Sequence, residues 1–586
     1  MRIFVISLTF MATMLTVFSP GAAAFAEEIR VYFLLQREPP EQPTQVPWLL
    51  NPELLPLWKS AMARPESELK RQVADSIAVA YRMGHDGMKA AIPELTALIQ
   101  EEKIHPATRQ AAANALIVLD SRGSAAALMA ASQSGNKDLR QLVEPALARW
   151  NLEAMRPIWR QRITSINSPR RDLILAIDGL GEQRDATALD ALLKLAMTAE
   201  NPSDVRLAAA RAAGRITDQG LEERAGQLLA RSTNGIVERL CGAALIARHR
   251  SDQAVTLLQK LGADVEPAVA GDALRSLFTF DPNLVLPLAE GAFQNADANV
   301  RRVAIQTYVT LPTPDRLQTL SLRLNDPHPE LRGLVRESFY ALSKDAALDP
   351  VIRQSSIAIL AGTDWRGQEQ AAMLLAALDE KSAAPRLLEL LDSPRPEVEV
   401  SSAWGLRTLD IPAMTAPILA YLQQRTEKDA AYPPSTDFQV AHLLEFLGRQ
   451  KMVEAMPLME KYVPKLGKYG EFSRAAAVWS LGLIQEGTVN EALAAKLMER
   501  VLDTTSIPPE FLEVRRTSAL TLGRLRARTQ LAAMKQLVGD AIDNEIIELS
   551  IRWSIQQISG EQIPLAPAVS LGRTGWFLEP IPPKDR

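Results

Sequence analysis

The chain has 586 residues, of which 47% are hydrophobic, 23% charged and only 5% aromatic. This balance excludes an intrinsically disordered chain, and the scarcity of aromatic residues favours thin, closely packed helices over strands. The net charge of −4 and the pI of about 6.0 exclude the basic surface with which proteins neutralise nucleic-acid phosphates.

A signal peptide is predicted over residues 1–26. Arg2 supplies a positive start, residues 3–18 are apolar, and a small-x-small pattern ending at Ala26 predicts cleavage after that residue. The apolar run is shorter than the roughly 20 residues of a membrane-spanning helix. The protein is therefore expected to be exported to the periplasm or the exterior, with no membrane span after cleavage. An uncleaved N-terminal anchor is the alternative.

Residues 27–50 are predicted to form an extended, proline-rich linker. Pro39-Pro40, Pro43 and Pro47 disfavour regular structure there.

One pattern recurs between residues 51 and 560: a turn with Pro, Asp or Asn, an aliphatic residue, often an arginine, and an Ala/Leu-rich run. Residues 204–214 and 513–523 are clear copies. Further copies begin at residues 108, 139, 300 and 331, and degenerate copies at residues 69, 237, 398 and 473. Apolar positions within a copy follow the helical period, and a second helical stripe lies between copies. Each repeat therefore predicts two helices.

The predicted fold is an all-α solenoid of about 13–15 stacked antiparallel helix pairs, because alanine-rich stripes are buried only when the next pair stacks on them. The array is predicted to cover residues 51–425 and 437–560, with a loop or bend at 426–436. The proline-rich tail, residues 561–586, is expected to pack over the last repeat as a cap. The residues predicted to be buried are Val205, Ala209, Ile216, Cys241, Val514, Leu522 and Leu525.

The pattern Asp-x-Val-Arg-x-x-Ala-Ala-x-Ala-Leu-Gly, of which residues 205–212 carry the part Val-Arg-x-x-Ala-Ala-x-Ala, resembles the short bacterial HEAT repeats, also called phycobilisome-lyase-like repeats. Residues 51–150 also resemble exported HEAT proteins of planctomycete-type bacteria. The resemblance implies that the arginine after the aliphatic position is structural and bonds a turn carboxylate or carbonyl. The arginines that match this position are Arg109, Arg206, Arg301, Arg332 and Arg515. Glu238 and Glu399 depart from the pattern, which predicts interruptions of the arginine ladder.

No catalytic, cofactor or metal site is predicted. The sequence lacks the His-Glu pairs of iron-binding HEAT proteins, and its single cysteine, Cys241, cannot supply a haem-attachment motif or a disulfide. No two histidines have the spacing of a zinc motif on one helix. His85, His105, His249, His328 and His442 are each expected to be solvated or capping residues. Trp404 and Trp479 are expected to pack in the core rather than to stack on sugars.

The function predicted from these features is a non-catalytic protein-binding scaffold of the cell envelope. Its partners are expected on the concave face of the solenoid, lined by the second helix of each repeat. The alternatives are an accessory subunit of an extracytoplasmic enzyme or electron-transfer system and an enzyme whose site is assembled from distant repeats. No cofactor and no nucleic-acid partner are expected.

Overall fold

The computed structural model describes residues 29–39, 50–101, 103–231, 235–427, 431–538, 545–563 and 576–580. The predicted signal peptide lies outside these residues. Within them the chain forms 30 α-helices joined by short turns and 3₁₀ helices, without any β-strand, which confirms the predicted all-α solenoid. In the same part of the chain, no helix combines the length and the apolar character needed to cross a membrane.

The chain divides into two compact arrays. Of the described residues, the N-terminal array comprises those from 50 to 311 together with 576–580, and the C-terminal array comprises those from 312 to 563 together with 29–39. Each array thus includes a terminal segment from the opposite end of the chain.

The helices of the N-terminal array are α1 (Leu54–Met62), α2 (Ser67–Arg82), α3 (Ile92–Gln100), α4 (Pro106–Val118), α5 (Ala125–Ser132), α6 (Lys137–Arg149), α7 (Arg156–Thr164), α8 (Arg170–Glu182), α9 (Leu189–Met197), α10 (Ser203–Ile216), α11 (Glu222–Leu229), α12 (Ile236–Leu245), α13 (Asp252–Gly262), α14 (Pro267–Phe280), α15 (Ala289–Phe293) and α16 (Ala298–Thr310). Those of the C-terminal array are α17 (Pro314–Ser321), α18 (Pro329–Leu342), α19 (Asp349–Ala361), α20 (Trp365–Ala377), α21 (Ala384–Glu389), α22 (Pro396–Leu409), α23 (Thr415–Glu427), α24 (Pro434–Arg449), α25 (Met456–Glu460), α26 (Glu471–Ile484), α27 (Glu491–Leu502), α28 (Leu512–Arg524), α29 (Leu531–Gln536) and α30 (Glu545–Ser559).

The ten copies of the repeat pattern found in the sequence all lie on even-numbered helices, and the even-numbered helices are called motif helices below. Within each array, every motif helix packs against the next motif helix, from α2 to α16 and from α18 to α30. Most of the odd-numbered second helices are shorter and pack against a motif helix, as α9 does against α10 and α27 against α28. The fifteen motif helices agree with the predicted number of repeats.

The turns after several motif helices share one backbone conformation. A residue with φ between 48° and 56° follows the helix, and a 3₁₀ turn then leads into the second helix; examples are Arg184 and Arg526. The next N–H closes the helix end by donating to a carbonyl five residues earlier, as Asp185 does to Leu180 at 3.0 Å. This closure reverses the chain within a few residues.

Six of the seven residues predicted to be buried are buried, including Val205, Leu522 and Cys241. The prediction was wrong for Ile216, which is half-buried. Ile216 is the last residue of α10, and the neighbouring motif helix α12 is only 10 residues long, so it covers the end of α10 incompletely. Burial raises the pKa of the Cys241 thiol to about 11, which disfavours its reactive thiolate.

Part of the C-terminal tail packs on the first helix of the N-terminal array. The indole Nε1 of Trp58, in α1, donates to the carbonyl oxygen of Phe577 at 2.7 Å, and the rings of Trp58 and Trp576 lie 5.6 Å apart. The fully buried indole of Trp58 thereby gains an acceptor for its N–H. The described tail residues 576–580 therefore cover α1, whereas the expected position was the last repeat.

Successive motif helices at the end of the C-terminal array approach each other at a glycine. Ser480 of α26 donates to the Leu444 carbonyl of α24 at 2.8 Å, and Ser554 of α30 donates to the Ala519 carbonyl of α28 at 2.7 Å. Thr521 of α28 makes the same bond, of 2.9 Å, to the Val478 carbonyl of α26. In each case a glycine four residues after the accepting carbonyl lies under the hydroxyl-bearing residue. These glycines are Gly448, Gly482 and Gly523.

We predict that Gly523→Ala destabilises the protein by about 1–3 kcal/mol, since the added Cβ would lie 2.7 Å from the Cα of Ser554 and force two helices apart. Gly333→Ala is the matched control, because a Cβ at this position of α18 meets nothing within 4 Å. The control should stabilise the helix by up to about 1 kcal/mol. Urea unfolding followed by circular dichroism measures both, and equal effects of the two substitutions would contradict the prediction.

Candidate functional site

Residues 29–39, called the strap below, lie on the motif helices of the C-terminal array. They are extended except for a 3₁₀ turn at Leu35–Arg37 that contacts α26. Leu35 is fully buried, and Ile29 and Pro39 are also buried. The part of the predicted linker that the structure describes is therefore packed against the solenoid.

Two carboxylates accept hydrogen bonds from the main chain of the strap. The Leu35 N–H donates to Glu445 of α24 at 2.9 Å, and the Ile29 N–H donates to Glu337 of α18 at 3.2 Å. Both bonds would be available to any extended segment, because they involve no side chain of the strap.

Two arginines donate to carbonyl groups of the strap. Arg407 of α22 donates to the Tyr32 carbonyl at 2.8 Å, and Arg516 of α28 donates to the Leu35 carbonyl at 2.6 Å and also to the Glu38 carbonyl. The strap is thus held through both its donors and its acceptors by charged side chains from four motif helices.

The side chain of Phe33 enters an aromatic sandwich. Its ring stacks on His442 of α24 at 4.4 Å and on Phe472 of α26 at 4.7 Å, with Phe438 of α24 tilted against it at 5.6 Å. The stacking distances are those at which aromatic pairs contribute beyond their buried area.

A polar contact fixes the end of the strap. The Glu38 carboxylate accepts a 2.8 Å bond from Trp479 Nε1 and pairs with Arg524 of α28. Trp404 and Trp479 are both buried, as predicted, but the indole N–H of Trp479 is also a contact of the strap.

The strap lies on motif helices, with contacts from Glu337 of α18 to Arg516 of α28. The expected partner surface, a concave face lined by the second helix of each repeat, stays a prediction.

The side chains that contact the strap are together called the groove, and several of them are buried and charged. They are Glu337, Arg407, Phe438, His442, Glu445, Phe472, Trp479, Arg516 and Arg524. Arg407 and Glu445 form an ion pair, and less than 2% of either residue is exposed. Burial lowers the pKa of Arg407, and the adjacent Glu445 carboxylate opposes this shift. Arg516 and Arg524 are also buried. Because unsatisfied buried charges are costly, the polar contacts of the strap stabilise the groove.

His442 has no exposed surface, although it was expected to be solvated or capping. Burial, reinforced by the positive charge of Arg407, lowers its pKa to about 4, while Glu445, 3.8 Å from Nδ1, acts in the opposite direction. His249 is likewise fully buried, 3.2 Å from Glu222, so the same expectation was wrong there. His105 does cap a helix, since its ring accepts from the Ala107 N–H.

Each of the five arginines assigned to the ladder donates to a carbonyl of the turn or helix that precedes its motif helix. Arg206 reaches Ala196 at 3.2 Å, Arg301 reaches Ala296 at 2.7 Å, and Arg332 reaches Asp326 at 2.9 Å. Arg515 reaches Val501 at 3.0 Å, and Arg109 bonds the Glu101 carbonyl. These arginines lie apart along the arrays and do not converge on one site.

Glu238 and Glu399 stand where the repeat pattern has an arginine, and each pairs with an arginine of another helix. Glu238 accepts from Arg206 at 2.9 Å, and Glu399 accepts from Arg425 at 2.8 Å. Burial would raise the pKa of Glu238, but the bond from Arg206, a backbone hydrogen bond and the charges of Arg206 and Arg231 together lower it. At both positions an ion pair with an arginine of another helix replaces the arginine–carbonyl bond.

No group of three or more metal-ligating side chains occurs among the residues that the structure describes. The groove itself was not identified from sequence. Its contributing residues come from five helices spread over Glu337 to Arg524, and no local spacing connects them. The one available signal was the aromatic and aliphatic run at residues 31–35 in a segment otherwise rich in proline.

We predict that Arg206→Met destabilises the protein by about 3 kcal/mol, because it leaves Glu238 buried without its partner. The double variant Arg206→Met, Glu238→Met should regain most of this loss. Arg170→Met, which removes an exposed pair with Asp204, is the control and should have little effect. Chemical denaturation of the wild type and the three variants measures the free energy of unfolding of each. A double variant no more stable than Arg206→Met would contradict the paired role.

We predict a loss of stability between pH 6.5 and pH 4 that depends on His442. The unfolded chain binds the proton at about pH 6.5, whereas the folded chain binds it only near pH 4, so acidification favours unfolding. The loss should reach about 3 kcal/mol at pH 4 and then level off. His442→Phe keeps an aromatic ring beside Phe33 and should remove this component. Urea midpoints at pH 7 and pH 4 measure it, with the exposed His105→Asn as control. Equal pH dependence in wild type and His442→Phe would show that His442 is not responsible.

No protein-family model and no curated protein sequence matches the chain. Among solved structures, Kap95p from a study of its binding to RanGDP aligns with a TM-score of 0.51 and 13% identity over 87% of this chain and 72% of that chain. Yeast importin-β (Kap95p) aligns with a TM-score of 0.48 and 13% identity, over 90% and 73% of the two chains. At this identity the first similarity shows the fold alone, which is an all-α solenoid.

Proposed function

We propose that the protein is a non-catalytic scaffold of the cell envelope that binds extended segments of partner proteins on the motif helices of its C-terminal array. The strap is the single observation that carries this proposal. It lies across successive helices as a bound peptide would, with its main chain bonded to Glu445, Arg407 and Arg516.

The chemistry of the groove supports binding rather than catalysis. Its charged groups are engaged with each other or with the strap, and the one histidine in it is buried against Phe33 and is held neutral at pH 7 by its lowered pKa. A general acid or base needs access to substrate and a pKa near the working pH. His442 offers neither in this arrangement.

The location and the family of the protein are parts of the same proposal. The N-terminal apolar run and the small-x-small pattern ending at Ala26 support export with cleavage of residues 1–26. The pattern in residues 205–212 supports membership of the short bacterial HEAT repeats, with the exported planctomycete-type proteins as relatives.

Purification of the tagged chain from the envelope fraction of its own cells, with gentle cross-linking, tests the proposal. We expect an intact mass that corresponds to a chain beginning at Glu27 and at least one co-purifying protein above the level of an untagged strain. Absence from the envelope fraction would refute the location. Absence of any enriched protein would refute the scaffold.

A further inference from the structure

We infer that the groove is an exchangeable binding site for a segment of a partner protein and that the strap occupies this site in cis; the inference rests on the proposed function. The partner segment presents an aromatic residue, a leucine two positions later and a carboxylate three positions after the leucine. The corresponding strap residues are Phe33, Leu35 and Glu38. Displacement of the strap would open the groove to the partner.

At these three positions the groove encloses or binds a side chain of the strap, and Arg407 also lies 5.1 Å from the centroid of the Tyr32 ring. Phe33 is enclosed by His442 and Phe472, and Leu35 is fully buried. Glu38 is bound by Trp479 and Arg524. The hydrogen bonds of Glu337, Glu445, Arg407 and Arg516 are made to the main chain of the strap, which every extended peptide offers.

An occupant satisfies charged groups of the groove that would otherwise lose hydrogen-bond partners. Arg516 is 98% buried, and its bonds to the carbonyl groups of Leu35 and Glu38 are made only when the strap is in place. Glu445 likewise accepts from the Leu35 N–H. Removing the strap without a replacement would leave these groups with unsatisfied bonding capacity, whereas a segment with the same chemistry would restore them.

The strap itself is held by few buried side chains. Val31 is 39% exposed, and Tyr32, Phe33 and Leu34 are half-buried. Tethering of a segment by a short flexible linker gives an effective concentration of about millimolar, so a tethered segment can occupy a groove for which its own affinity is modest. A partner segment competes with this tethered copy rather than with an empty site.

The experiment measures fluorescence anisotropy of a labelled peptide with the sequence of residues 29–39 added to the full chain. Leu35→Asp in the chain should release the strap, whereas Val31→Asp, the matched change at an exposed strap position, should not. We expect the peptide to bind the Leu35→Asp chain at least tenfold more tightly than the wild-type or Val31→Asp chain. A second peptide, which keeps only the phenylalanine, leucine and glutamate among alanines and serines, should bind the Leu35→Asp chain comparably.

Further variants make the result specific to the groove. Arg516→Met added to Leu35→Asp should weaken peptide binding at least tenfold, and a peptide carrying Leu35→Asp should bind none of the chains. If Leu35→Asp does not give the circular dichroism of the wild type, Phe33→Asp releases the strap by its aromatic contact instead.

Three outcomes would overturn the inference. One is equal affinity for all chains, and another is no binding to a folded strap-released chain. The third is a wild-type dimer that the peptide dissociates, which would mean that a second copy fills the groove. A co-purified envelope protein that is unaffected by these variants would leave the scaffold proposal standing while this inference fails.

Discussion

The distance between neighbouring motif helices is the constraint on which the rest of the C-terminal array depends. A glycine in one helix lies under a serine or threonine of the next, and the hydroxyl bonds the carbonyl four residues before that glycine. A larger residue at the glycine would separate the helices and break the bond. Since the same register recurs at Gly448, Gly482 and Gly523, the helices stack with a regular offset that presents Glu445, Trp479 and Arg524 toward one segment of chain.

Buried ion pairs also fix the register between neighbouring repeats. Arg206 with Glu238 and Arg474 with Glu510 connect neighbouring repeats through pairs that are almost fully buried. Each guanidinium also bonds the carbonyl end of the preceding second helix, so it joins three elements at once. Such pairs contribute less to net stability than apolar contacts of the same size, but they penalise a shifted register because a displaced partner remains buried and unpaired.

The sequence was sufficient for the fold but not for the groove, and the difference has a physical cause. Helical periodicity and the positions of turns are local properties, so the two-helix repeat and the burial of Val205 or Leu522 could be predicted. Ile216 was missed because its exposure depends on the length of the next motif helix. The contact of Leu35 with Glu445 joins positions 410 residues apart, and composition alone indicated a linker at the strap. Likewise, the burial of His442 depends on the aromatic ring of Phe33.

The strap supplies hydrogen-bond acceptors to charged side chains of the groove. Without the strap, Arg407 and Glu445 would still pair with each other, but Arg516 and Arg524 would lose most of their acceptors in the groove. Glu513 would remain as a partner of Arg516, so the loss is partial and the bare groove is costly rather than impossible. A surface with this property favours exchange of one extended segment for another over prolonged exposure, because the charged groups are satisfied in both end states. The same residues that stabilise the array can therefore select its partner.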